Sequence, residues 1–129
     1  NMNLVGIERT IFAGESETLE FKKSTGQLTR AAETLCAFLN ANGGMIIIGI
    51  TSKGKIVGQQ VSDKTQQDIA NILRRFEPPA LIDIKRIDLP NSDRELMVLQ
   101  ARTISATPPE SHPQPTALGE RSCHWSWGR

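Results

Sequence analysis

Apolar residues recur at helical spacing in two stretches of the chain. The first predicts a helix over about 27–40, and Ser24 and Gln27 have the spacing of a capping box at its start. The second predicts a helix that begins near Asp63, whose carboxylate can cap the first turn, and that ends before Pro78. Each helix would bury one face and expose the other.

Shorter runs of β-branched and apolar residues predict strands. The run at 45–50 does not alternate with polar residues, which is typical of a strand buried on both faces. A turn at 52–55 leads from it to 56–58, so we expect these two segments to pair as an antiparallel hairpin. Further strands are predicted at 18–22, 81–89 and 95–102. The order of elements predicts an α+β fold, with two main helices on one face of a mostly antiparallel sheet.

Composition changes abruptly near residue 104. The chain has 129 residues, which is enough for one domain with a modest core. Four of the seven prolines, both histidines and both tryptophans follow that point. Proline-rich polar sequence does not propagate a helix or a central strand. We therefore expect a folded domain at 1–104 and an irregular tail at 105–129, which is a loop, a linker or a non-native extension.

Nothing in the sequence indicates a membrane or secreted location. The longest apolar run, 45–50, is far shorter than the roughly 18 residues that span a bilayer. No basic segment followed by a long apolar stretch marks a secretory signal. Cys36 and Cys123 are far apart in the sequence and are predicted to be free thiols. We therefore expect no membrane association and a cytoplasmic location.

The overall charge does not indicate a polyanionic partner. Lysine and arginine total 15 against 14 acidic residues, a net charge of +1. A surface for nucleic acid must therefore come from local clusters of basic residues. The candidate nucleic-acid-binding residues are Lys22, Lys23, Lys53, Lys55, Arg74 and Arg75.

Aromatic side chains suited to base stacking are scarce in the predicted domain. There is no tyrosine and both tryptophans lie in the tail, so phenylalanine is the domain's only aromatic residue. Sequence-specific recognition of single strands is therefore disfavoured. Contact with the phosphate backbone through lysine and arginine stays open.

Acidic residues near the first strand are the candidates for metal binding and catalysis. Glu20 and Lys22 share one face of an extended segment, and Glu15 can fold back toward that face from the preceding loop. Converging carboxylates bind divalent cations, and such an ion can activate water for attack on a phosphodiester. The alternative is a solvated acidic loop whose glutamates pair with Lys22 and Lys23.

Other catalytic or nucleotide-binding arrangements are not indicated. Gly43 and Gly44 follow the C-terminus of a predicted helix and precede a strand, which is opposite to the order in a phosphate-binding loop. Both histidines lie in the tail, and Cys36 lies on an apolar helix face, so no nucleophile and base are paired.

Four ordered blocks of residues match a known pattern across about residues 10–102. They are Glu15-Ser16 with Leu19-Glu20-Phe21-Lys22; Ala37-Phe38 with Asn40 and Gly43-Gly44; Ile48-Gly49-Ile50 with Gly54-Lys55-Ile56-Val57-Gly58; and Ile72 with Glu77-Pro78-Pro79. Together they resemble the Schlafen-type Alba-like domain, a module of bacterial predicted transcriptional regulators and of the Schlafen core. The resemblance implies an α+β fold that binds DNA or RNA.

The resemblance also implies a second activity. Some Schlafen relatives are metal-dependent endoribonucleases with three carboxylates, and Glu15 and Glu20 fall on the first two of those positions. Thr51 and Ser52 stand where the third is expected, and neither is a good ligand for Mg²⁺ or Mn²⁺. A nuclease would need a substitute from nearby, Glu17 or Asp63.

We therefore expect the nucleic-acid-binding module of a bacterial transcriptional regulator. One alternative is an endoribonuclease that uses Mg²⁺ or Mn²⁺ with Glu15 and Glu20 as ligands. The other is an assembly domain whose exposed sheet edge pairs with a partner or a second copy. For that alternative we expect a homodimer.

Overall fold

Three helices and six strands form the part of the chain described by the computed structural model, residues 3–77, 80, 82–102 and 123–125. The helices are α1 (Leu4–Ala13), α2 (Leu28–Leu39) and α3 (Asp63–Leu73). The strands are β1 (Leu19–Lys22), β2 (Gly44–Ile48), β3 (Phe76–Glu77), β4 (Ile82–Asp88), β5 (Glu95–Ala101) and β6 (His124–Trp125). Within these ranges each helix is too short or too polar to span a bilayer.

A four-stranded sheet in the order β1-β2-β5-β4 forms the centre of the fold. β1 and β2 are parallel, whereas β2 and β5, and β5 and β4, are antiparallel neighbours. The sheet is therefore mixed and mostly antiparallel, and together with the helices it confirms the predicted α+β class. β3 and β6 form a separate antiparallel pair. The strands predicted at 18–22, 81–89 and 95–102 are present as β1, β4 and β5.

The central strand β2 is buried on both faces, as its sequence predicts. Ile46 and Ile48 pack with residues of α2 and α3, and Ile47 packs with residues of α1; all three isoleucines are fully buried. Each such side chain contributes roughly 1.5–3 kcal/mol of hydrophobic stabilisation. β2 therefore belongs to two cores, one on each side of the sheet.

Helix α1 is an addition to the predicted elements. It covers the sheet face opposite α2 and α3, so helices lie on both faces rather than on one. Ile7 and Ile11 are its buried residues, and the Asn3 side chain caps it by accepting the Gly6 N–H at 2.9 Å. The spacing of Leu4, Ile7 and Ile11 after an N-cap asparagine is a signal from which the helix could have been predicted.

Helix α2 begins at Leu28, without the predicted capping box of Ser24 and Gln27. Ser24 instead caps a short 3-10 helix, Thr25–Gln27, by accepting the Gly26 N–H at 3.1 Å. Gln27 then stands at the start of the α-helix with no side-chain cap. The reciprocal bonds do not form because the tighter 3-10 turn intervenes.

Helix α3 is capped by Ser62 rather than by Asp63. Ser62 and Thr65 form a capping box, in which each hydroxyl accepts the backbone N–H of the other residue. Asp63 is the first helical residue, where a carboxylate is favourable to the helix dipole. The helix ends at Leu73, before the predicted end at Pro78, because β3 follows and pairs with β6.

The predicted hairpin between 45–50 and 56–58 forms only at its turn end. There Ile50 and Ile56 form an antiparallel bridge, and the Gly49 carbonyl accepts the Val57 and Gly58 N–H groups at 2.9 and 2.8 Å. β2 already bonds β1 on one side and β5 on the other, so it has no free edge for a third strand. Gly49, with a φ of 109°, turns the chain out of β2.

Cys36 and Cys123 form a disulfide, so the prediction of two free thiols is wrong. Asn40, just after α2, binds the Cys123 backbone: its Nδ2 donates to the Cys123 carbonyl at 3.1 Å and its Oδ1 accepts the Cys123 N–H. The pairing of β6 with β3 continues this contact. The two sulfurs come together because residues 123–125 dock against α2 and β3. The long separation of the cysteines in the sequence does not predict this pairing.

Residues 123–125 are the described part of the predicted tail, 105–129. They include β6 and the disulfide-bonded Cys123, so for these residues the prediction of irregular structure is wrong. Backbone pairing with β3 and the bonds to Asn40 are the physical reason. The rest of the tail and the boundary near 104 lie outside the described residues and stay predictions.

Candidate functional site

The carboxyl ends of the parallel strands β1 and β2 meet at one end of the sheet. β1 ends at Lys22, whose carbonyl accepts the Gly49 and Ile50 N–H groups at 2.7 and 3.1 Å, directly after β2. Lys23 follows β1, and a turn at 51–55 follows β2. The topology therefore brings most of the predicted nucleic-acid-binding residues to one place. We call this group, Lys22, Lys23, Lys53 and Lys55, the lysine end.

Hydrogen bonds define the shape of the turn at 51–55. The Thr51 N–H donates to the Lys55 carbonyl at 2.9 Å, and the Thr51 hydroxyl accepts the Lys55 N–H at 3.1 Å. Gly54 has a φ of 88°, in the region that favours glycine, and it lies against α1. Lys53 and Lys55 are thus exposed on a turn of defined geometry.

The four lysines differ in how their charges are compensated. The Lys22 side chain is only 11% exposed, and its Nζ lies 2.9 Å from Glu20 Oε2. Lys23, Lys53 and Lys55 are exposed, and within the described ranges no ion pair engages their ammonium groups. The lysine end therefore offers these three charges to an anion, whereas the charge of Lys22 is paired with Glu20.

Glu15 folds back onto β1, and its Oε2 accepts the Phe21 N–H at 2.8 Å. Phe21 lies in an outer strand of the sheet, so the carboxylate supplies a partner to a part-buried amide. Glu20 is the ion-pair partner of Lys22. Both candidate metal ligands are therefore already engaged in contacts that stabilise the fold around β1.

Within the described ranges, no third carboxylate joins Glu15 and Glu20 in a metal-binding arrangement. Thr51, at an expected third position, uses its hydroxyl to close the 51–55 turn, and Asp63 lies in the first turn of α3. Among the residues that the structure describes, no three histidine, cysteine, aspartate or glutamate side chains are arranged to hold a metal ion.

Arg74 and Arg75, the other predicted nucleic-acid-binding residues, lie at the opposite end of the fold. Helix α3 starts after Gln59, which bonds Glu95 near the carboxyl end of β2. The helix has 11 residues and is therefore about 16 Å long. It leads to β3, which pairs with β6 beside Asn40. The structure therefore separates the predicted cations into two groups.

Gln59 connects three segments around the lysine end, and no sequence pattern marks it. Its N–H and carbonyl bond the Glu95 backbone at 2.8 Å each. Its side-chain amide bonds the Thr25 N–H and the Thr25 hydroxyl at 2.7 Å each. Because Thr25 closely follows Lys23, these bonds hold the chain around Lys23 against β5.

Arg86 of β4 and Glu95 of β5 form an ion pair with two hydrogen bonds of 2.8 Å. The hydrogen bond from the Arg86 guanidinium lowers the pKa of the Glu95 carboxyl. The same hydrogen bond raises the pKa of Arg86. The pair stabilises the start of β5, where Gln59 also binds.

A family model described as Schlafen, AlbA_2 matches residues 15–122 of the chain. The matched range contains β1 to β5, the helices α2 and α3, and the whole lysine end. The match therefore extends over most of the sequence and includes the candidate site.

Solved structures with a similar fold include two bacterial proteins. The N-terminal domain of a protein from Nitrosomonas europaea, related to the ATP-dependent DNA helicase RecG, has a TM-score of 0.59 at 17% identity, covering 89% of this chain and 97% of that one. A protein from Corynebacterium diphtheriae has a TM-score of 0.51 at 16% identity, covering 79% of this chain and 26% of that one. At these identities the similarity shows the fold alone.

Proposed function

Because the chain belongs to the Schlafen, AlbA_2 family, we propose that it binds nucleic acid and that its lysine end contacts the phosphate backbone. The supporting observation is the group of exposed lysines, Lys23, Lys53 and Lys55, without ion pairs among the described residues. Binding of lysine to phosphate releases condensed counterions, which favours association. Since the net charge is only +1, a local group of this kind must supply the attraction.

Similarity to a protein of known structure supports the same class of ligand. The Nitrosomonas europaea protein is related to a DNA helicase, which supports nucleic acid as the class of ligand. We propose that the chain is a DNA- or RNA-binding module of a bacterial transcriptional regulator, which is the role that the family resemblance implies.

Titration of labelled duplex DNA and RNA, followed by fluorescence anisotropy at about 50 and 200 mM salt, tests this proposal. We expect weak binding that salt reduces, with log K falling by roughly 0.9 per contacted phosphate for each tenfold rise in salt. Lys53→Gln should weaken binding to all sequences about equally. The matched control is Lys85→Gln, which removes an exposed lysine from the middle of β4. Absence of binding by the unmodified chain at low salt refutes the proposal.

Assembly is a second candidate function, and the outer strand β4 favours it. β4 has seven residues and, in the described part of the sheet, bonds a neighbour on one side only. Ile84 on this strand is 44% exposed. The unpaired backbone groups of an outer strand can pair with another strand. Sedimentation over a range of concentrations should show a homodimer that Ile84→Lys dissociates, and a strictly monomeric chain would contradict this candidate.

A further inference from the structure

Phe12, in the last turn of α1, is exposed to solvent over 93% of its surface. The other phenylalanines of the chain, Phe21, Phe38 and Phe76, are all buried in the cores. Helix α1 packs on the sheet through Ile7 and Ile11, so its attachment does not use the Phe12 ring. The Phe12 ring is therefore exposed to solvent and does not contribute to the packing of the fold.

The helix turn that carries the exposed ring lies beside the lysine end. A Cβ atom at Gly54 would be 3.7 Å from Ile11 Cγ2 and 4.0 Å from the Ile11 carbonyl oxygen, and that carbonyl directly precedes Phe12. Lys53 and Lys55 flank Gly54 on the same turn. The last turn of α1 therefore lies beside the turn that carries the two lysines.

The chain after Phe12 also returns to the lysine end. Gly14 ends α1 by donating its N–H to the Ile11 carbonyl at 3.0 Å. Glu15 then bonds Phe21, the neighbour of Lys22. The backbone that carries Phe12 is thus attached to β1, which leads to Lys23, and it lies beside the turn with Lys53 and Lys55, so the fold sets the backbone positions of the ring and of these lysines.

We propose that Phe12 is a stacking platform for an unpaired base and that Lys53 and Lys55 bind the phosphates beside that base. The ligand class is then single-stranded nucleic acid, or an unpaired loop, because the bases of a duplex are stacked on each other and cannot reach the ring. This inference rests on the proposed function and names its substrate. It departs from the expectation, drawn from composition, that stacking platforms are scarce in the domain and that sequence-specific recognition of single strands is disfavoured.

The test compares single-stranded oligothymidylate, the same strand with abasic sites, and a duplex of equal length. Stacking of one base on an aromatic ring corresponds to roughly 5- to 150-fold in Kd. We expect Phe12→Ala to weaken oligothymidylate binding by about that factor, and to leave binding of the abasic strand and of the duplex unchanged. Phe12→Trp should retain the affinity because it keeps a stacking surface. Val5→Ala is the matched control, since Val5 is also exposed on α1 but lies two turns earlier.

The outcomes separate this inference from the proposed function. If Lys53→Gln weakens binding but Phe12→Ala does not, the phosphate contacts stand and the stacking platform is overturned. If Phe12→Ala weakens duplex and abasic binding equally, the ring does not recognise a base. If it changes only the sedimentation of the protein, the ring belongs to a protein contact, which also overturns the inference. If the unmodified chain binds no strand, both proposals fail. The thermal unfolding midpoints of the Phe12 and Val5 variants should equal that of the unmodified chain, because both side chains are exposed.

Discussion

Removal of the Cys36–Cys123 disulfide should lower the stability of the fold strongly. The bond joins residues with a sequence separation of 87. Closing a loop of that length removes about 15 cal/mol/K of entropy from the unfolded chain, equivalent to about 4.6 kcal/mol at room temperature. Measured losses are often smaller than this limit, so we expect the free energy of unfolding to fall by about 2–4 kcal/mol. The reduced unfolded chain should also expose more surface and give a larger m-value.

Urea unfolding with and without a reductant measures this effect. Reductant should lower the unfolding midpoint of the unmodified chain, and Cys36→Ala with Cys123→Ala should show the low midpoint under both conditions. Asn40→Ala is the matched control, because it removes the hydrogen bonds to the Cys123 backbone but keeps the disulfide. That variant should still respond to reductant. Two titratable thiols in the folded, air-oxidised protein, or a midpoint that reductant does not change, would refute the reasoning.

Three further predictions concern the candidate site and its surroundings. Glu15→Ala should lower the free energy of unfolding by about 1–3 kcal/mol because it leaves the Phe21 N–H without its carboxylate partner; a neutral effect in urea unfolding would contradict that role. The hydrogen bond from Arg86 lowers the pKa of Glu95 in the folded state. The contribution of the Glu95 carboxylate to the free energy of unfolding is therefore fully present above its unfolded pKa of about 4.3 and is lost as pH falls through the lower folded pKa. The stability difference between the unmodified chain and Glu95→Gln should therefore shrink in acid, and a difference constant from neutral pH to about pH 3 would oppose this assignment. Mg²⁺ or Mn²⁺ at millimolar concentration should leave the urea unfolding midpoint unchanged and should not promote cleavage of structured RNA. Chelator-sensitive cleavage that Glu20→Gln abolishes would instead establish the nuclease alternative.

Local patterns predicted the central elements well. The unbroken apolar run at 45–50 indicated a strand buried on both faces, and Ile46 to Ile48 occupy that position. The alternation around Glu20 and Lys22 indicated a shared face, and these side chains form an ion pair there. In both cases the signal lies within a few residues of sequence, where backbone geometry alone determines which side chains are neighbours.

Long-range pairing was not predictable from such patterns. The short turn after 45–50 suggested a hairpin, but β1, from an earlier part of the chain, pairs with β2 in parallel and β5 takes its other edge. The same parallel pairing brings Lys23 close to the turn that carries Lys53 and Lys55, whereas α3 separates Arg74 from them. Adjacent basic residues in the sequence therefore indicate candidate nucleic-acid-binding residues. The order of the strands determines which of these candidates share one surface.

The most direct test of the central claim compares two variants with the same change in charge at opposite ends of the fold. Lys53→Gln with Lys55→Gln removes two of the three exposed charges of the lysine end, and Arg74→Gln with Arg75→Gln removes two charges at the far end of α3. The measurement is the slope of log K against log salt for one labelled nucleic acid that the unmodified chain binds. We predict that the lysine variant lowers the steepness of this slope by about two, roughly one for each lost phosphate contact, and that the arginine variant keeps the original slope. Equal losses in the two variants, or a larger loss in the arginine variant, would contradict the claim that nucleic acid binds at the lysine end.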